Sequence, residues 1–91
     1  MNDDINNMRA QITEEIAKMR KQRMILAMHK ELGEILLNKI SNTSIEDSTK
    51  NDVQNRINET IERIANLDDM IRMGEMALKI HQMIEEDDDD R

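Results

Sequence analysis

Apolar residues recur at steps of three and four through two long stretches of this chain, and one short polar segment divides them. That pattern leaves few folds open. In the first stretch the apolar positions are Ile5, Met8, Ile12, Ile16 and Met19, then Ile25, Leu26, Met28, Leu32, Ile35, Leu36 and Ile40. The spacing predicts one face of an α-helix over about residues 4–40. Residues 24–28 (MILAM) are apolar nearly all round, as helix segments covered on more than one side are. In the second stretch Ile57, Ile64, Ile71 and Leu78 recur at every seventh position, with Thr60, Leu67, Gly74 and His81 at the complementary positions. This is a heptad pattern on a helix of about residues 50–85. Ile61, Met70, Met73, Met76, Ala77, Ile80, Met83 and Ile84 widen its apolar face toward the C-terminus.

The divider is SNTSIEDST, residues 41–49. Ser, Asn, Thr and Asp side chains compete for backbone hydrogen bonds and favour caps and turns. Thr43 and Glu46 have capping-box spacing, with Asp47 and Ser48 as further cap candidates. The chain has no Pro, no aromatic residue, two Gly and a single Val (Val53), a composition that speaks against a β-sandwich or barrel. The fold class read from this is all-α: a long antiparallel helical hairpin over residues 1–84, followed by an acidic tail, residues 85–91.

A turn centred near Ile45 places residue i beside roughly residue 91 − i. Gly74 then falls beside Ala17 and Gly33 beside Asn58, and Asp68 and Asp69 fall beside Arg23 and Gln22. Met8, Met19, Met24 and Met28 fall opposite Met83, Met73 and Met70, which makes the open end rich in methionine. Methionine adapts to irregular gaps, so such a surface is a core, an oligomer interface or an adaptable partner-binding groove. Two helices alone do not bury faces this broad, and a lone hairpin of this size is marginal. A homo-oligomeric helical bundle resolves this, and Ile-rich heptad positions favour more than two helices about an axis. The candidate interface residues are Met24, Met28, Met70, Met73, Met76 and Leu78.

The composition also removes chemistries. Without Cys there is no disulfide framework, thiol nucleophile or Cys-based zinc site. Without aromatic rings there is no stacking platform for single-stranded nucleic acid. Ser41, Ser44 and Ser48 lie at least 12 residues from His29, about 18 Å of helical rise, too far for a local nucleophile–base pair. His29 and His81 read as partly buried structural residues, with a phosphate or metal contact as the alternative. No phosphate-loop, dinucleotide, zinc-protease or EF-hand spacing is present, and Asp87–Asp90 lacks the alternation of a calcium loop. A non-enzyme without cofactor or metal is expected.

The formal charge of −7 is unevenly spread. Residues 85–91 (EEDDDDR) hold six acids and one Arg, a net −5. Such a block repels itself and is expected to fray, serving solubility or occupying a partner's basic groove. Residues 18–30 (KMRKQRMILAMHK) hold five Lys or Arg and no acid. This band is either a solvated face paired with acids on a neighbouring helix or an anion site for phosphates. A symmetric bundle repeats each basic side chain about its axis, so Lys18, Lys21, Lys30, Arg72 and Lys79 are the candidate ligand-binding residues. Overall acidity argues against a duplex nucleic acid partner. No apolar run approaches membrane-spanning length, and the N-terminus MNDDINN is not a secretory signal, so a cytoplasmic protein is expected.

Two short segments, KELGE at residues 30–34 and GEMAL at residues 74–78, resemble the phage anti-CBASS and anti-Thoeris family of helical hairpins. The resemblance implies homo-oligomers that sequester cyclic nucleotide or related nucleotide immune signals between protomers without hydrolysis, in the host cytoplasm. It also implies a ligand contact for Lys30. The chain has Glu75 where that family has an aromatic residue, so Met and Ile contacts would stand in for base stacking. The competing expectation is a protein–protein interaction module, a small inhibitor or coiled-coil adaptor, that uses the Met-rich face and the acidic tail.

Overall fold

The computed structural model describes residues 2–89, with side chains described from residue 4 to residue 86. Two helices, α1 (Asn2–Ser41) and α2 (Asp47–Asp89), form an antiparallel hairpin with no strand among the described residues. It measures 72 × 15 × 15 Å. Its radius of gyration is 20.4 Å, whereas a compact chain of this length has about 12 Å.

The helices meet along one seam. On α1 it runs through Ile5, Ile12, Ile16, Met19, Leu26, Gly33, Leu37 and Ile40, and on α2 through Val53, Ile57, Ile64, Leu67, Ile71, Gly74 and Leu78. Alternating steps of three and four keep both sets facing each other over the whole length. Among the described residues, Ile16, Ile40, Ile57, Leu67 and Ile71 form the buried core, each 5–8% exposed. The first stretch therefore does not form one face, as its spacing suggested. Met8, Ile25, Met28, Leu32, Ile35 and Leu36 leave the seam and are 45–62% exposed. Two staggered tracks of the same period share the helix, and only one of them meets α2.

Both glycines lie in the seam with helical backbones. A Cβ on Gly33 would stand 2.8 Å from Ile57 Cγ1, and one on Gly74 would stand 2.8 Å from Ile16 Cγ1. Each glycine is the socket for an isoleucine of the other helix. The neighbours are one residue away from the Asn58 and Ala17 expected from the register. Basic residues on the seam track bring their own anions: Arg9 pairs with Glu85, and Arg23 with Asp68, the latter as the register predicts. Arg20 bridges to Glu75 at 2.6 Å along the seam's edge.

The connection is shorter than the nine-residue break, spanning residues 42–46. Thr43 does not act in a capping box. Its hydroxyl donates to the Ile40 carbonyl at 2.7 Å and its amide to the same oxygen at 3.1 Å, so it closes α1 instead. The Glu46 carbonyl accepts the first bonds of α2, from the Thr49 and Lys50 amides at 3.1 and 3.2 Å. Lys50 Nζ reaches back to the carbonyls of Ser41 (3.4 Å) and Thr43 (3.2 Å). A cation there satisfies acceptors that end α1 without partners and complements the negative end of its dipole. At the other end α2 continues beyond Glu85 to Asp89, where neither Gly nor Pro interrupts it. Asp90 and Arg91 lie outside the described residues.

Candidate functional site

On each helix the side turned away from the seam carries an apolar stripe. On α1 it is Ile25, Met28, Leu32 and Ile35, flanked by Leu36, and on α2 it is Met73, Met76, Ile80 and Met83, flanked by Ile84. The steps are the same on both helices, three, four, three and one. These positions are 45–70% exposed. In a heptad numbering that puts the seam at a and d, the first four of each set take c and f, opposite the seam. The two stripes therefore face opposite sides of the hairpin. They also differ in level: the α2 stripe lies near the open end and the α1 stripe nearer the middle, about 25 Å apart along the axis.

The candidate interface residues divide accordingly. Met28, Met73 and Met76 belong to these stripes, while Met24 (65% exposed) and Met70 (48%) flank them. Leu78 is half-buried on the seam facing α1. Met24 and Met28 point away from α2, so the methionines of the two helices do not line one continuous surface at the open end.

The five candidate ligand-binding residues do not come together within one hairpin. Lys18 lies on the outer side of α1 beside Glu15 (3.4 Å) and Glu14 (3.9 Å). Lys21 shares that side and has no carboxylate within ion-pair distance among the described residues. Lys30 is half-buried on the seam track, 3.5 Å from Glu34, and lines a groove with Arg23, Ala27 and Glu31. Arg72 and Lys79 are exposed on an outer edge of α2, seven residues apart on a single track. Only contacts between copies would let these cations converge.

A groove of about 800 Å³ lies elsewhere, between the helices on the turn-proximal half. His29, Gly33 and Leu36 of α1 line it, facing Arg56, Ile57, Thr60 and Arg63 of α2, and Asp52 and Glu59 line it too. Gly33 forms part of its floor, where the Ile57 side chain packs against the glycine backbone. Arg56 and Arg63 stand one heptad apart, about 10 Å, and neither has an ion-pair partner among the described residues. Two guanidiniums and an imidazole around a shallow groove are suited to an anion with two charged groups. The carboxylates of Asp52 and Glu59 temper that potential.

Sequence reasoning passed over Arg56 and Arg63 because they lie outside the acid-free band. The signal was present: the 91 − i register sets His29 beside residue 62 and Leu36 beside residue 55, next to both arginines. No described helix is long and apolar enough to cross a membrane. Comparison of the chain with protein-family models, curated proteins and solved structures found no match.

Proposed function

We propose that this protein is a non-catalytic helical hairpin that works as a homo-oligomer and sequesters a small phosphorylated ligand. Self-association is the part the geometry supports most strongly. The accessible surface is 7566 Å², against about 5,500 Å² for a compact monomer of this mass. Among the described residues, fifteen large apolar side chains are exposed. Scattered exposed apolar residues are ordinary, but contiguous stripes on two helix faces mark contact surfaces.

The ligand half of the reading rests on the Arg56–Arg63–His29 groove, which neighbouring copies would close, and on the resemblance of residues 30–34 and 74–78 to the phage nucleotide-sponge hairpins. That resemblance supplies the ligand class, a cyclic nucleotide signal, and with it a counter-defence role. Calorimetric titration with cyclic dinucleotides and cyclic ADP-ribose variants at low salt tests it. Saturable heat that disappears in Arg56→Gln/Arg63→Gln supports the reading, and absence of heat with every ligand removes it.

A second reading, a protein-interaction module, is favoured by the three methionines of the α2 stripe, whose flexible side chains suit an adaptable groove. Capture of a partner that is lost in Met73→Glu, while the wild-type chain alone stays monomeric, would favour this alternative.

A further inference from the structure

We infer that the outer stripe of α1 in one copy packs on the outer stripe of α2 in a second copy, a head-to-tail contact between unlike surfaces. This inference rests on the self-association part of the proposed function and is independent of any ligand. The two stripes have equal length and the same spacing, so their ridges match. In an antiparallel alignment Ile25, Met28, Leu32 and Ile35 fall opposite Met83, Ile80, Met76 and Met73, with the two numbers of every pair adding to 108.

Charge decides which stripes meet. Along the α1 track the stripe is preceded by Lys21 and followed by Lys39, both exposed, while Lys18 farther along the track is paired with Glu14 and Glu15. Along the α2 track it is preceded by Asp69, also exposed. In the register above Lys39 falls opposite Asp69. On the lateral edge Glu31 of α1 comes level with Lys79 of α2. Packing α1 on α1 would instead bring lysines together at the ends of the stripe, and packing α2 on α2 would bring carboxylates together. Like charges set side by side disfavour both of these self-pairings.

The elongated hairpin has surface to spare for two contacts. A standard interface buries about 800 Å² per partner, so two such contacts take up about 1,600 Å² of each copy. That fits within the roughly 2,000 Å² by which this hairpin's surface exceeds that of a compact monomer. Because the stripes face opposite sides, two copies cannot satisfy both contacts with each other. Each addition leaves one stripe free at either end, so the assembly grows until it closes as a ring or extends as a filament.

Two outward-facing substitutions test this without touching the seam. Leu32→Glu spoils only the α1 stripe and Ile80→Glu only the α2 stripe, and the helical circular dichroism of both is expected to stay wild-type. Sedimentation of the wild-type chain is expected to show species larger than a dimer. Each variant alone is expected to sediment as a monomer, and an equimolar mixture is expected to form a one-to-one dimer that grows no further. If the wild-type chain assembles but either variant alone still dimerises, like stripes pair with each other and the head-to-tail contact is wrong. Assembly that persists in both variants also overturns it. A wild-type chain that is monomeric at every concentration overturns self-association itself.

Discussion

Gly33→Ala is expected to destabilise the hairpin, although alanine is the better helix former. Within a helix, alanine is favoured over glycine by about 1 kcal/mol. Opposing this, the new Cβ would sit 2.8 Å from Cγ1 and 3.4 Å from Cδ1 of Ile57. Ile57 is 5% exposed and its β-branched side chain has one strongly preferred rotamer in a helix, so it has little room to give way. Overpacking a filled site costs about 1–3 kcal/mol. The net expectation is a loss of about 1 kcal/mol. Truncating the neighbour reverses the sign. Ile57→Ala alone costs about 2–4 kcal/mol, and adding Gly33→Ala in that background returns about 1 kcal/mol, from helix propensity and a partly refilled gap. The coupling between the two substitutions is then about 2 kcal/mol. Urea unfolding followed by helical circular dichroism measures all four members of the cycle, at one fixed protein concentration because assembly shifts apparent stability. If Gly33→Ala stabilises both backgrounds equally, the glycine is not a socket for Ile57 and the reasoning fails.

Other perturbations separate the seam, the turn and the surface. Ile71→Ala, at a position 8% exposed in the seam, is expected to cost about 2–4 kcal/mol of unfolding stability, as read by the same urea assay. Lys50→Met keeps the aliphatic stem but loses the bonds to the carbonyls of Ser41 and Thr43, and a drop of about 0.5–1 kcal/mol is expected in thermal unfolding. Arg23→Gln removes the ion pair with Asp68, whose side chains are 44% and 36% exposed, and is expected to change stability by less than about 1 kcal/mol. That small effect should shrink further in high salt.

The hairpin and its register were legible because a heptad on α2 and a single polar break dictate both. Arg23 against Asp68, and each glycine within one residue of its neighbour, follow from placing the turn near Ile45. The division of α1 into two tracks was not legible. Ile25 and Leu26, or Leu36 and Leu37, are equally apolar, and only the position of α2 decides which of them is covered. The capping-box spacing of Thr43 and Glu46 does not reveal that the Thr43 hydroxyl bonds backward to Ile40 and closes α1. Residues 18–30 cluster their cations along the chain, whereas a groove collects residues by level. This is why Arg56 and Arg63 emerged only once the two helices were set side by side.

Contact between copies through the outer stripes is the central claim about this protein. Sedimentation equilibrium of the full chain over a wide concentration range tests this directly. The expected result is a mass that rises with concentration to three or more multiples of the 10.7 kDa protomer. A single 10.7 kDa species throughout would contradict it.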